Sequence, residues 1–418
     1  MVLSFQQKQH PLLLRLLLFI ILFIFYFLFL IKKITRLLVM KIRFSRPILQ
    51  DAVSNAMYSV STKNTITAVE GILISCEDDK VVLTSYDLEK GMTIKIDAEI
   101  IEPGACIINA QSLNSIIKLM PAGMVELEVN EYYRAKLISG SSEFELNGMD
   151  AKEFPTLPDI DNTSGFNIKQ GDLKNMISQT LFAVAQNDAR PTFNGAYFKL
   201  KGNHITTVGC DSFRLAIREK VCEMENISDS ELDISFIVPG RTLSEVMKLL
   251  SEPDEFVFIS INRKQVIFRF DKRDTVFFSR LIEGDYIDYE RIIPQNSSIF
   301  VDIDTEIFEG ALNRASLVTD DSAGKNKSLA RCHFHDNRLE ITSVSINGKV
   351  RDEIPTSQNG SEIEIGFNCR YLTEALKASQ CEKLRLSLSS PFISMVIEPL
   401  EADENDKFTF LVLPCKMK

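Results

Sequence analysis

The sequence predicts an α+β chain made of three tandem copies of one domain, and three observations carry that prediction. A short pattern recurs as Leu113-x-x-Ile116-Ile117-Lys118, Leu243-x-x-Val246-Met247-Lys248 and Leu372-x-x-Ala375-Leu376-Lys377, with the leucines 130 and 129 residues apart. Each copy is apolar at i, i+3 and i+4 with a lysine just beyond, one turn of an amphipathic helix. A strand-like stretch follows each copy ("GMVELEV", "EFVFISI" and "KLRLSLS"). Solenoid units run to about 20–50 residues, so a repeat this long is a whole domain copied three times.

The chain opens with residues 1–39, a hydrophobic extension distinct from the body. Leu16–Ile31 is an unbroken apolar run of 16 residues between Arg15 and the pair Lys32 and Lys33. That is short of the roughly 20 residues that span a bilayer as a helix. Reaching back to Leu12 adds length but includes Arg15, which would have to snorkel. No small-residue cleavage site follows the run. Composition shifts at Met40, where "MKIRFSRPILQDAV" opens like a cytosolic domain, so Met40 is the expected start of translation. The alternative is a membrane-anchored interaction protein that uses residues 12–31.

Each copy then begins with a helix, around Leu49 in "RPILQDAVSNAMYSV", Leu173 in "GDLKNMISQTLFAVA" and Phe308 in "TEIFEGALNRASLV". A strand pair with a polar turn follows in each: "GILISCEDDKVVLTSYD", "AYFKLKGNHITTVGCD" and "ARCHFHDNRLEITSVS". Alternating β-branched residues mark the strands, and Asp-Asp, Gly-Asn and Asp-Asn mark the turns. Helix, strands, helix, strands is the order of an α+β domain with two helices and antiparallel sheets. Turn-rich joints at Glu153–Gly165 and Gly284–Ser298 place the copies at 40–160, 165–295 and 298–418.

Net charge is −10, and residues 1–39 hold Lys8, Arg15, Lys32, Lys33 and Arg36 without an acid, which leaves −15 on the body. An acidic body argues against a general basic coat for nucleic acid, though not against a locally basic face. The cysteines Cys76, Cys106, Cys210, Cys222, Cys332, Cys369, Cys381 and Cys415 form no CxxC pair. Scattered through apolar stretches, they fit a reducing cytoplasm better than a disulfide framework. No P-loop, GxSxG or HExxH pattern occurs. His333 and His335 alternate on one expected strand without a third ligand at a suitable spacing. No metal, cofactor or catalytic residue is therefore expected, which weighs against an enzyme on a duplicated scaffold.

Five segments resemble, in order, those of the bacterial sliding clamp, the β subunit of DNA polymerase III. "NGAYF" after Arg190 resembles R-x-x-L-N-G, and "CDSFRLA" (Cys210–Ala216) resembles T-D-G-H-R-L-A. "EGDYIDYERIIP" (Glu283–Pro294) resembles D-G-x-F/Y-P-D-Y-x-R-V-I-P, "EIGFNCRYLTEAL" resembles F-N-x-x-Y-L, and "FLVLPCKM" resembles the closing V-M-P-M-R-L. The resemblance covers Met40–Lys418. It implies three DNA-clamp domains per chain and a ring of two chains joined head to tail. Such a ring encircles duplex DNA without reading sequence. It tethers the polymerase III catalytic subunit and docks the clamp loader and other proteins with a clamp-binding motif. It implies a cytoplasmic, non-catalytic subunit of the polymerase holoenzyme.

Three groups of residues follow. Cations on the repeated helices would face phosphates, giving salt-sensitive attraction without base readout. They are Arg46, Lys118, Lys174, Arg241, Lys248, Arg314, Arg370 and Lys377, with Arg190 and with Lys63 in the turn "STKNT", where the family places a DNA-contacting arginine. By resemblance, a partner-peptide pocket comprises Phe193, Cys210, Ser212, Phe213, Arg214, Leu215, Ile287, Ile292, Asn368, Tyr371, Phe392, Leu411, Leu413, Pro414 and Cys415. Ser212 stands for the motif's glycine, Phe213 for its histidine and Ile287 for its proline. By the same resemblance, Phe144 and Leu146 on an edge strand of one chain's first domain would meet Leu317 and Val318 on a helix of the other chain's third domain, closing the ring. The plainer alternatives are solvated lysines, domain-joint packing and intradomain core.

Overall fold

A computed structural model describes residues 38–61, 64–158, 164–226, 232–318, 329–345, 348–401 and 403–417. The candidate anchor at 12–31 and Lys63 lie outside the described residues. The chain divides into two compact units. One runs to Pro158 and takes in Arg273–Thr275, and the other holds Asp159–Lys272 and Val276–Lys418.

The first unit opens on the strand Leu38–Ser45, where Met40, Ile42 and Phe44 alternate inward and are fully buried, the period of two that a strand imposes. Helix α1 (Arg46–Ala56) carries proline in its first turn, where a missing N–H costs nothing. Its Leu49, Ala52, Val53 and Ala56 are buried at i, i+3, i+4 and i+7. Helix α2 (Ala110–Leu119) is capped by Asn109, whose Oδ1 accepts from the Ser112 N–H at 3.0 Å, satisfying one of the first-turn donors. Antiparallel strands run from Lys90–Asp97 through Lys80–Tyr86, Gly71–Glu77, Ala105–Asn109, Ser142–Asp150, Arg134–Ser139, Met124–Asn130 and Leu38–Ser45 to Glu99–Glu102.

The second unit holds α3 (Gln170–Leu181), α4 (Gly240–Leu249), α5 (Thr305–Ser316) and α6 (Cys369–Ser379). Asp304 caps α5 by accepting from the Ile307 N–H, and Asn368 caps α6 by accepting from the Arg370 N–H. The lysine-bearing turns of the sequence repeat lie on α2, α4 and α6, and Leu113, Leu243 and Leu372 are buried in each. Among the described residues, the expected order of two helices per copy is what forms. The helix expected to carry Leu317 and Val318 stops at Ser316, so both occupy the turn beyond it.

Within the second unit the central and C-terminal copies share one sheet. Arg214–Val221 runs antiparallel to Asp406–Val412, with Arg214 opposite Val412 and Lys220 opposite Asp406. Helices cross the same junction: Gln179 Nε2 donates to the Ser379 carbonyl at 3.1 Å, and Phe182 meets Phe410 edge-on at 5.1 Å. The C-terminal tail folds back, with the Cys415 N–H donating to the Gly366 carbonyl at 2.7 Å. A Cβ at Gly366 would lie 3.0 Å from the Cys415 carbonyl oxygen, so the close approach of the tail favours glycine there. Among the described residues, no helix is long and apolar enough to cross a membrane. No three His, Cys, Asp or Glu among them are grouped to hold a metal ion.

Candidate partner-docking groove and cation faces

The shared sheet gives the groove its floor. Phe193, Cys210, Leu215 and Leu411 are buried together with Val208, Ile217 and Val396 in one apolar cluster. Alternation puts Leu215 and Leu411 on the same face, because they lie opposite each other across the strand pair. The segment Tyr286–Ile293 covers one side of that cluster through Ile287, Ile292 and Ile293. Tyr286 pins it: its ring stacks on Tyr197 at 5.1 Å and its hydroxyl donates to the Val208 carbonyl at 3.3 Å.

The remaining expected residues form the wall and rim. Phe213 is 55% exposed and stacks on Tyr371 at 5.9 Å. Its carbonyl accepts from the Leu413 N–H at 2.9 Å, which ties the wall to the tail. Phe392 is 84% exposed, and with Ile292, Leu413 and Pro414 it lines an opening of about 410 Å³. Ile287 instead faces a second cleft, of about 620 Å³, beside Tyr197 and Leu281–Glu290. Exposed aromatic and aliphatic rims over an apolar floor are what a short peptide with leucine or phenylalanine anchors needs. Ser212 has φ +75°, a left-handed conformation that favours glycine. A glycine, which the motif that this segment resembles has at this place, would suit that turn.

Arg214 organises the wall. It is almost fully buried, donates from Nε to Asp211 Oδ2 at 2.9 Å, and pairs with Glu374 from α6. Its guanidinium lies 4.6 Å over the Tyr371 ring. Asn368 is committed to capping α6, so it contributes through that helix start. Burial pushes the Cys210 and Cys415 thiols above their ordinary range. Both stay protonated at neutral pH and act as apolar lining rather than as nucleophiles. Burial likewise raises Tyr286 and pushes Tyr289 up to about 12. Val396 lies in the same apolar cluster and Tyr197, Tyr286, Tyr289 and Ile293 pack against it, and none of these is in the expected set. The two tyrosines three apart in "GDYIDYER" were the available signal.

Arg190 packs beside the groove: it bonds Asp188 through Nε at 2.9 Å, bonds Ser212, and covers the Phe193 ring at 3.8 Å. Side-chain and backbone hydrogen bonds from Arg190 hold the Asp188 carboxyl down to about 2.

The helix cations fall into two kinds. Arg46 donates to the Ile117 and Lys118 carbonyls at 3.1 and 2.8 Å, and Lys174 donates to the Leu250 carbonyl at 2.9 Å. Each therefore satisfies open carbonyls at the end of the neighbouring helix. The others form stripes at i, i+4 and i+7: Gln111, Ser115 and Lys118 on α2, Arg241, Glu245 and Lys248 on α4, and Arg370, Glu374 and Lys377 on α6. Glu245 meets Lys248 at 2.8 Å, Glu374 meets Arg370 at 2.8 Å, and Lys377 reaches Glu309 at 3.7 Å. Arg314 is drawn to Asp352 at 2.5 Å. Lys118 and Arg241 have no ion-pair partner among the described residues.

Phe144 is 38% exposed, Leu146 is half-buried and Leu317 is 84% exposed. Phe144 and Leu146 lie on the part of Ser142–Asp150 that pairs on one side only.

Comparison with known proteins follows the same threefold division. Family models of the DNA polymerase III beta subunit match here: its N-terminal domain over residues 40–158, its central domain over 167–288 and its C-terminal domain over 290–416. A beta sliding clamp of Bacillus subtilis is 32% identical over 387 residues, covering 90% of this chain and 100% of that protein. One from Staphylococcus epidermidis is 30% identical over 388 residues with the same coverage. The crystal structure of the DNA polymerase sliding clamp from Bacillus subtilis superposes with a TM-score of 0.83 at 30% identity, covering 91% of this chain and 100% of that one. The beta subunit from the DNA polymerase of Streptococcus pyogenes gives 0.81 at 26% identity over 90% and 100%. The chain belongs to the DNA polymerase III beta subunit family, the bacterial sliding clamps.

Proposed function

We propose that this sliding clamp acts by topology: two copies close head to tail into a ring around duplex DNA and hold a polymerase there without adhesion or catalysis. The three copies, at 40–160, 165–295 and 298–418, would each turn a helix stripe toward DNA. Lys118, Lys248 and Lys377 would lead those stripes, with Arg241, Arg314 and Arg370 beside them. Arg46 and Lys174 would serve mainly as clasps on neighbouring helix ends. The observation that carries the reading is the triplicated i, i+4, i+7 stripe with a lysine in the last turn of each helix, on a body that is otherwise acidic. Such cations meet phosphates and give attraction that does not depend on sequence. Phe144, Leu146, Leu317 and Val318 would close the ring.

The groove around Phe193, Leu215, Phe392 and Leu411 would take the peptide motifs of the polymerase catalytic subunit, the clamp loader and other replication proteins. The protein would work in the cytoplasm, where its DNA lies. The test is retention after loading. Closed circular DNA should keep the protein, and linear DNA with free ends should lose it within the time needed to slide off. Equal retention on both forms would overturn the topological reading. Light scattering at micromolar concentration should give the mass of two copies, since interfaces of standard size persist there.

A further inference from the structure

The cleft of about 620 Å³ beside the docking groove has an unpaired strand edge in its wall. It lies between the strand Asp233–Pro239 and the strap that runs from Leu281 to Glu290. That strand ends its nine-stranded sheet. The Ile282 N–H donates to the Ile237 carbonyl at 2.9 Å, and Gly284, at φ +126°, then turns the strap away. Backbone groups alternate between the two sides of a paired strand. The N–H and C=O groups of Asp233 and Ser235 therefore point to the same open side as the Ile237 carbonyl, and among the described residues nothing bonds them there. Lys199 and Tyr197 lie opposite Ser235 and Ile237 and share their face. Tyr286 stacks on Tyr197 at 5.1 Å, so the strap lies over that face. The strap lines the cleft as far as Glu290 and lines the opening at Phe392 from Arg291 onward. One stretch of chain thus joins the cleft to the docking groove. Its carboxylates Glu283, Asp285, Asp288 and Glu290 line the cleft against two cations, Lys199 and Arg263. Asp288 is held by Arg291 at 2.8 Å. Asp285 and Glu290 carry no ion pair among the described residues.

A cleft of this size can take a ligand, and an open strand edge takes an extended chain through main-chain hydrogen bonds. The free edge makes the cleft a place for a peptide, and the acids set which peptide. We propose that a partner docked in the groove runs a flanking segment along the strap and adds it as a strand beside Ser235, with a basic side chain received by the carboxylates of Asp285 and Glu290. The inference rests on the groove being a peptide site, as proposed above. An added strand alternates its side chains, so every second one falls on the face that carries Lys199 and lies under the strap. Asp285, Asp288 and Glu290 outnumber Lys199 there, so a base is favoured over an acid. The anchors in the groove would be common to all partners, and the flank would distinguish partners that share them. Tethering raises the local concentration of the flank, so a weak strand contact still counts. Gly284 and Ile292 stand eight positions apart, so an extended flank of eight residues spans that stretch whatever its path.

The probe is a fluorescein-labelled six-residue peptide with leucine and phenylalanine anchors. It is made alone and with an eight-residue flank of threonine and valine at either end, a single lysine being placed at each flank position in turn. Fluorescence anisotropy against the full chain reads the dissociation constant. A flank at one end should tighten binding about tenfold, as a few strand hydrogen bonds and one part-exposed ion pair supply. The gain should depend on where the lysine stands, since general attraction to an acidic protein would not. Glutamate at the best position should lose most of the gain, and N-methylation of the flank backbone should lose it as well. Asp285→Asn with Glu290→Gln should remove the preference for lysine over glutamate. Ser235→Pro, which deletes an edge donor, should remove the gain while the six-residue peptide binds as it does to the unchanged chain. Equal binding of short and flanked peptides, a gain indifferent to N-methylation, or lysine and glutamate flanks of equal strength would each overturn the proposal. The changes made in the peptide decide the matter if a protein variant fails to fold. A six-residue peptide that does not bind at all would overturn the groove and the extension with it, which separates the two failures.

Discussion

Arg214→Leu is the substitution expected to reach furthest through the second unit. Arg214 comes from the central copy, is 7% exposed, and is shared by Asp211, Glu374 and the Tyr371 ring, the last two from the C-terminal copy. Removing one member of a buried ion pair costs about 3–5 kcal/mol, because a charge is left without its partner. Two observations lower that figure. Asp211 Oδ1 still accepts from the backbone N–H groups of Phe213 and residue 214 at 3.0 Å each, and Glu374 keeps Arg370 at 2.8 Å. A loss of about 2–3 kcal/mol is therefore expected. Glu374→Gln, which keeps a hydrogen-bonding group, should cost about 1 kcal/mol. The two changes touch one pair, so the double variant should cost less than their sum by at least about 1 kcal/mol. The chain has no tryptophan, so urea unfolding is followed by circular dichroism and by the fluorescence of tyrosines such as Tyr371. The pH dependence gives an independent check. Burial pushes the Glu374 carboxyl up, but hydrogen bonds from Arg370 and Arg214 outweigh it and hold the group below its ordinary range. A depressed folded value means the stabilisation is complete above the unfolded value of about 4.3 and is lost as pH falls through the folded one. The gap between wild type and Arg214→Leu should therefore narrow below about pH 4. A coupling under about 0.3 kcal/mol, or a gap that does not change with pH, would refute the shared ion pair.

Replacing Lys118, Lys248 and Lys377 together with alanine should flatten the salt dependence of DNA retention by roughly 0.9 for each phosphate no longer neutralised; an unchanged slope would remove these lysines from the DNA face. Leu411→Ala, which empties a fully buried site, should cost about 2–5 kcal/mol. Phe392→Ala at its exposed rim should change stability by less than about 0.5 kcal/mol yet weaken binding of a leucine- or phenylalanine-bearing peptide. Calorimetric titration beside thermal unfolding distinguishes the two. The Asp188 carboxyl should titrate near 2 by NMR and return toward its ordinary value of about 3.9 in Arg190→Ala; no change would separate it from Arg190. Because its folded value is depressed, any stabilisation it gives is present above the ordinary value and lost only as pH falls toward 2.

The repeat was legible because each copy had to bury the same helix face. Leu113, Leu243 and Leu372 recur at one spacing, and their periodicity alone marks which side of each helix is inside. Tertiary roles of polar side chains were less legible. Nothing local separates Arg46, which clasps the end of α2, from Lys118, which stays on the solvent face. Both are cations at helix ends, and the difference lies in which carbonyls a neighbouring helix leaves open. Arg190 shows the same limit, since its partner Ser212 is remote in sequence and the left-handed turn that presents Ser212 is visible only in three dimensions. The end of α5 went unread because Leu317 and Val318 continue the apolar pattern of the helix past Ser316. An exposed docking residue and a buried core residue are the same amino acid to a periodicity rule.

The cation stripes contain their own restraint. On α4 and α6 an acid stands between the two cations, so each face carries a net charge of +1, and on α2 neutral Gln111 and Ser115 leave the same net charge with one lysine. A phosphate approaching Lys248 or Arg370 must compete with Glu245 or Glu374, each already at 2.8 Å. Two unit charges about 4 Å apart in watery surroundings attract by about 1 kcal/mol, so the carboxylate offsets much of what a single phosphate contact could add. Every 1.4 kcal/mol of extra depth in such a contact would slow escape from it about tenfold. A protein that held DNA by adhesion would be better served without these acids. One that holds DNA by enclosing it, as proposed here, needs attraction only weak enough to be broken at each step, and on that reading the paired acids on α4 and α6 would set it there.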